Sequence, residues 1–533
     1  ILEFGIAYRI AERNASPRFP PGPPARPEAS AISAKDRHCE IESRPRPRRV
    51  HRHARRRPRW RALPLIPTRK APVDSMHMHR YRSLTGRCVI RSSEAAALHR
   101  ADGPAGVTAQ SNRRREWRGA PPVRNRLVRA ACNAIQECTM STREVVICHP
   151  VRTPIGTFNG SLKDTPATEL GAIAIRETLR RSGLDGAAID TVVLGNVIQA
   201  GNKMNPARQA AIGAGLPVKV PALTVNRVCG SGAQAVVNAA QEILLGYANA
   251  AIAGGMESME RAPYLLDGAR WGYRMGDAPI RDSMLRDGLV DAFSDQHSGW
   301  HTEDLASQLD ISRDRQDRWA LRSQQRFSTA LADGKFDAEL VPVEVLQRKA
   351  RVAFARDETP RPDTTLEALA KLKPAFRPDG TITAGNAPGL NSGAAAMLVA
   401  DRAFADAHGI APSARLVAFG VAAVEPGMFG LGPVPAVRIA LERAGWTLAD
   451  VERFEINEAF AVVPIAVAAQ LGIAEEIVNV EGGAIAHGHA IGATGAVLTT
   501  RLIHSMQRDG IKRGVVTLCI GGGQGIALAI ETL

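Results

Sequence analysis

The chain carries one pattern twice, as RRSGLDGAAIDTVVLGNV at residues 180–197 and as ERAGWTLADVERFEINEA at residues 442–459. Each copy begins as the end of a helix, breaks at a glycine, makes a short helical turn and runs into a strand. Aligning Gly183 with Gly445 sets an offset of 262 residues. Self-similarity at so long a spacing predicts two related halves. The same offset carries Cys229 to position 491, two residues from His489. Two like halves would therefore place Cys229 and His489 on comparable strand-to-helix turns.

Outward from the repeat, β-rich runs alternate with helical segments, the mark of an α/β protein. Strands are predicted at 144–148, 191–197, 221–228, 249–255, 414–420, 453–457 and 514–520, and helices at 167–182, 231–246, 313–331 and 434–445. The stretch 261–381 is more polar and holds turn signals such as ETPRPDTT (358–365), so it reads as an inserted domain. The plan is a first half over 140–260 and 382–410, an insert over 261–381, and a second half over 411–533.

The net charge of +15 suggests a nucleic-acid partner until its distribution is read. Residues 1–139 hold 30 Lys and Arg against 11 Asp and Glu, whereas the rest of the chain holds 38 against 42. The basic segment, with runs such as RPRPRRVHRHARRRPRWR (44–61), has no sustained apolar period, and its prolines block helix and ladder alike. It reads as upstream sequence outside the folded enzyme. A nucleic-acid- or membrane-binding arm and a transit peptide are the alternatives, although 11 acids are many for the latter. No run of 18 apolar residues exists, so no membrane span is expected. The seven cysteines form no CxxC pair, which indicates neither zinc nor a disulfide framework and fits a reduced, cytoplasmic setting.

Four motifs carry chemistry. In TVNRVCGSGAQAVVNAAQEILL (224–245), Cys229 falls on a turn before an amphipathic helix, where dipole and free N–H groups favour thiolate. A buried packing cysteine is the commoner fate, but glycines at 230 and 232 would let a substrate approach the sulfur. In TLCIGGGQGIALAI (517–530), Cys519 ends a strand before three glycines, whose N–H groups could stabilise an oxyanion. INEAF (456–460) offers Asn457, which alone would read as a capping residue. GGAIAHGHAIGATG (482–495) embeds His487 and His489 among five glycines, too few ligands for a metal site.

With GGMES (254–258), GNAPGLNSGAAA (385–396) and GLGPVPA (430–436), these motifs resemble the thiolases in order and spacing, from Met140 to the C-terminus. The resemblance implies an α/β thiolase fold, two similar βαβαβαββ halves in five layers (α-β-α-β-α), with an inserted loop domain that covers coenzyme A and helps build a homodimer or homotetramer. It implies Cys229 as the nucleophile that takes the acyl group, His489 as its activator and Cys519 as the acid/base. Asn457 would hold a water that, with His489, binds one oxygen, and the N–H groups of Cys229 and Gly521 would form the second oxyanion hole. His297, Ser298, Ala387, Pro388, Phe429, Phe460 and, at the nucleotide end, Arg361 match coenzyme A-contacting and acyl-pocket positions. Coenzyme A thioesters would be substrates, with no bound cofactor or metal and no nucleic-acid or membrane partner for the folded enzyme.

Departures bear on substrate choice. Pro388 stands where the family often has a serine that touches pantetheine, Ser298 and Phe429 where small-acyl members often have methionine, Ala490 where a proline follows the histidine, and His487 where leucine is usual. The expected activity is condensation of two acetyl-CoA to acetoacetyl-CoA. Thiolysis of longer 3-ketoacyl-CoA in fatty-acid breakdown and a non-catalytic coenzyme A- or lipid-binding protein are the alternatives. A chain begun at Met140 should keep the activity of the full chain, as initial thiolysis rates would show; a large loss would return residues 1–139 to the enzyme.

Overall fold

The structure, a computed structural model, describes residues 143–533. The basic segment 1–139, expected to stand apart from the enzyme, lies outside the described residues.

Nine strands form the main sheet: β1 (Val145–Arg152), β2 (Thr191–Gly195), β3 (Ala222–Val225), β4 (Ala250–Ser258), β5 (Asn391–Asp401), β6 (Ala414–Ala423), β7 (Arg453–Ile456), β8 (Arg513–Ile520) and β9 (Gln524–Thr532). Their order is β7-β8-β9-β6-β1-β5-β4-β2-β3, and the two-residue strand Gly156–Thr157 pairs with β5. Five helices matter most: α1 (Ala167–Ser182), α2 (Ser231–Leu244), α3 (Arg313–Ala332), α4 (Pro433–Ala444) and α5 (Thr494–Asp509).

The order contains the repeat. From the centre outward the first half runs β1-β5-β4-β2-β3 and the second β6-β9-β8-β7, with Val478 bridging to Phe454 where a fifth strand would stand. β1 and β6 join the halves through Val146–Arg415 and Ile147–Ala414. The offset of 262 holds residue for residue around the aligned glycines. Gly183 and Gly445 both end their helices with φ near 66°, the short turns are Gly186–Ala188 and Leu448–Asp450, and β2 and β7 start at Thr191 and Arg453.

Strand alternation sorts side chains into layers. Val146, Cys148, Ile252 and Leu398 face α1 on one outer side, and Val145, Ile147, Ala253 and Val399 face the centre. The second half mirrors this: Val516, Leu518 and Leu528 point inward, while Val515, Ala527 and Ala529 meet α4 and the helix Val462–Leu471. Between the two halves of the sheet lie α2 and α5, through Val236, Ile243, Leu498 and Leu502. The result is the α-β-α-β-α stack. β5 and β9 were not among the strands named from sequence; Asn391–Asp401 reads NSGAAAMLVAD, small residues whose strand character comes from burial on both faces.

Residues 261–381 lie between β4 and β5 and contain α3, the helix Ser298–Gln308 and two short ribbons. Helix α3 packs beneath the loop 482–495, and there the core holds a misfit. His487 is fully buried at 6.0 Å from the Phe327 ring, and neither ring nitrogen has a partner among the described residues. Burial, reinforced by Arg501 and Arg152, holds its pKa well below the usual histidine range. A buried neutral histidine binds fewer protons than its unfolded counterpart below pH about 6.5, so it subtracts stability as the pH falls through that value. His487→Leu should therefore raise unfolding free energy by about 1–3 kcal/mol through removal of an unsatisfied buried group. It should also flatten the decline below pH 6.5 by up to about 1.4 kcal/mol per pH unit. Chemical denaturation across pH 5–8 would check both; a variant with the parent's slope would place partners on the ring. Thiolysis activity should be largely unchanged.

Candidate active site

The nucleophile candidate sits on a forced turn. β3 ends at Val225, earlier than the predicted 228, and the chain reverses over residues 226–230 before α2 begins. Val228 adopts φ 43°, an unusual conformation for a β-branched residue. It is braced by neighbours: Val228 N donates to Asn226 Oδ1 at 2.9 Å, Arg227 N to Ser231 Oγ at 2.9 Å, and Ser231 Oγ to Val228 O at 2.6 Å. Cys229 is left half-buried on a cavity wall.

The glycines around it serve packing, which corrects the sequence reading. A Cβ at Gly230 would come within 2.5 Å of Ile520, and one at Gly232 within 2.5 Å of Ala496 N. Gly495 is the reciprocal case, 2.3 Å from Ala233 N. The first turns of α2 and α5 thus meet backbone to backbone, and substrate approach is not what excludes side chains there. In the histidine loop, likewise, a Cβ at Gly483 would strike Glu458 and one at Gly492 would strike Glu257.

His489 is buried and held at both ends. Its N–H donates to Asn391 Oδ1 at 2.8 Å, and its Nδ1 lies 2.7 Å from Thr494 Oγ1. The Thr494 hydroxyl donates its one proton to Ala490 O at 2.8 Å, so it accepts from Nδ1–H and leaves Nε2 as the unprotonated acceptor. Asn457 Nδ2 stands 3.4 Å from Nε2, while Asn457 Oδ1 is buried without a partner among the described residues. The rest of the loop hangs on buried acceptors. Glu458 takes Ile485 N, Asn479 Nδ2, Trp319 Nε1 and Ser323 Oγ at 2.8–3.0 Å, tying the loop to α3.

Electrostatics place neutral groups at rest. Burial lowers the pKa of His489 to about 4. Burial raises that of Cys229 to about 11, against the pull of the Gly521 and Cys229 N–H groups. Burial thus opposes the dipole-favoured thiolate that the sequence suggests. Cys519 is fully buried, and burial together with the neighbouring Cys229 pushes its pKa well up.

A cavity of about 380 Å³ brings Cys229, His489 and Gly521 together with His297, Ser298, Ala387, Pro388, Phe429 and Phe460. Asn457 and Cys519 are fully buried and not on its wall; Asn457 Nδ2 meets His489, and Cys519 is near enough to Cys229 for their charges to interact. Arg361 is exposed and absent from the wall, with its N–H on Gln324. The sequence reading missed Met259, Leu289, Phe293, Phe376, Leu390 and Ile491, which make the lining mostly apolar. It also missed the orienting pair Asn391 and Thr494; both fall inside or beside quoted motifs, but their role depends on contacts that cross the fold.

Comparison with known proteins agrees with this geometry. The thiolase N-terminal domain matches residues 145–403 and the thiolase C-terminal domain residues 410–532. The chain is 51% identical over 389 residues to an acetyl-CoA acetyltransferase of Pseudomonas aeruginosa, covering 73% of this chain and 99% of that one. It is 50% identical over 394 residues to the beta-ketothiolase BktB of Cupriavidus necator, covering 74% and 100%. The crystal structure of the Bacillus anthracis acetyl-CoA acetyltransferase superposes with a TM-score of 0.72 at 44% identity, over 74% of this chain and 99% of that chain. The chain belongs to the thiolase family.

Proposed function

We propose that this thiolase is an acetyl-CoA C-acetyltransferase, joining two acetyl-CoA reversibly into acetoacetyl-CoA and CoA. The observation that carries the reading is the meeting, in one largely apolar cavity, of a thiol, a neutral imidazole with an unprotonated Nε2 and two N–H groups beside the sulfur. The near full-length likeness to acetyl-CoA acetyltransferases supports the same substrate.

In this mechanism the Cys229 sulfur attacks the thioester carbonyl as its proton passes to His489 Nε2. The oxyanion takes hydrogen bonds from the Cys229 and Gly521 N–H groups, and CoA leaves with a proton from Cys519. The Cys519 thiolate then removes a proton from C2 of a second acetyl-CoA. The resulting enolate, its oxygen held by His489 and a water on Asn457, attacks the acyl-cysteine carbonyl and expels the Cys229 sulfur. His489 returns the proton. Coenzyme A enters as substrate, and no bound cofactor or metal takes part.

The side chains of Leu245, Tyr247, Trp271 and Met275 stand largely exposed, which supports a homodimer or homotetramer. Among the described residues no helix is long and apolar enough to cross a membrane, and we place the enzyme in the cytoplasm. A broader 3-ketoacyl-CoA thiolase is the second reading, favoured by the short Ser298 side chain on the wall and by the likeness to a beta-ketothiolase.

Cys229→Ala should abolish thiolysis of acetoacetyl-CoA, and His489→Ala should lower kcat about 10²–10⁴-fold, the usual range for a lost general base. Residual turnover in the cysteine variant would reject the nucleophile. Thiolysis of 3-ketoacyl-CoA from four to twelve carbons should give its highest kcat/KM at four; a maximum at eight or beyond would favour the second reading.

A further inference from the structure

Glu257, the penultimate residue of strand β4, is fully buried and makes no ion pair among the described residues. Four donors converge on it. Oε1 accepts from Asn196 Nδ2 at 2.7 Å and Ile198 N at 3.3 Å, and Oε2 from Val197 N and Gly492 N, both at 3.0 Å. Every partner is an N–H, so only the carboxylate, an acceptor at both oxygens, satisfies the set. Gly492 belongs to the turn three residues past His489, and residues 196–198 follow β2 of the other half. The backbones are close here as well: a Cβ on Gly195 or Gly255 would come within 2.6 Å of Gly492 O.

We propose that Glu257 is a positioning residue for acyl transfer: it locks the His489 turn of the second half onto the strand ends of the nucleophile's half. A neutral amide at this place would turn its own N–H groups toward the donors and could not accept from all four, so the cradle is built for a carboxylate. Burial raises the pKa of Glu257 itself to about 7 while the four N–H donors resist that rise, so the ionised form prevails above neutral pH.

The inference rests on Cys229 as nucleophile, and the test separates the two. The constants kcat and KM for thiolysis of acetoacetyl-CoA are measured in the full chain and in Glu257→Gln and Glu257→Asp, with chemical denaturation of each alongside. The Gln variant, which turns an N–H donor toward the four donors, should lower kcat at least tenfold with KM within threefold, as a displaced base beside an intact binding cavity requires. The Asp variant, which keeps both acceptor oxygens on a shorter arm, should lower kcat in the same way. A kcat less than tenfold below the parent's overturns the proposal, as does a KM that rises more than threefold; the Asp result decides alone if the Gln variant does not fold. Cys229→Ser run alongside tests the underlying reading: activity surviving in it would reject the nucleophile whatever Glu257 does.

Discussion

The first turns of α2 and α5 touch through their backbones, and this single contact sets the distance between the two halves of the chemistry. Gly232 and Gly495 leave no room for side chains at the crossing. Each helix is entered from a turn that carries one reactive residue, so pressing the helices together presses Cys229 and His489 toward one cavity. The five-layer stack is what makes the pressure possible. The two halves of the sheet bury the outer flanks of this helix pair with Ile147 and Val399 on one side and Val516 and Leu528 on the other. An added methyl at either glycine would have to push these halves apart along with the helices, because close-packed interiors transmit strain.

Close approach also decides the protonation states. The Gly521 N–H and the Cys229 N–H favour a thiolate, and exclusion of water opposes them more strongly. The same exclusion keeps His489 neutral, with Nδ1–H committed to Thr494 and Nε2 an acceptor beside Asn457 Nδ2. The pair therefore waits as thiol and imidazole. A thioester entering the cavity brings the carbonyl whose developing charge the two N–H groups can take, so the proton transfer that burial discourages at rest becomes favourable only as the bond forms.

Much of the fold was legible in the sequence because its signals are local. The glycine that stops a helix with φ near 66° leaves the same mark at 183 and 445, and the strand after it starts at the same offset. Helix Ala167–Ser182 has the bounds that its periodicity gives. The reactive residues were found where motifs put chemistry on turns, and Cys229, His489 and Gly521 do share a wall. What local signals could not give is what each residue faces. Glycines 230 and 232 looked like room for a substrate, whereas Ile520 and Ala496, more than 260 residues away, occupy the space. Cys229 looked dipole-activated because a helix start is visible in sequence and the loss of water is not.

The two catalytic turns are themselves copies, and their difference is informative. Val228 and Gly488 each precede the reactive residue, and both have positive φ, 43° and 100°. In the first half a valine holds this conformation at a cost of order 1–3 kcal/mol, persisting because Asn226 and Ser231 fix the turn from either side. In the second half a glycine holds it freely, but a Cβ there would meet Asn391, the residue that accepts the His489 N–H. After the reactive residue the copies diverge: α2 begins two residues past Cys229 and α5 five past His489. The extra three, Ala490, Ile491 and Gly492, lengthen the path to the helix, whose first residue, Thr494, still holds the imidazole, and they deliver Gly492 N to Glu257. The two turns therefore differ in length and in what they present, one a sulfur beside backbone N–H groups and the other a base on the cavity wall.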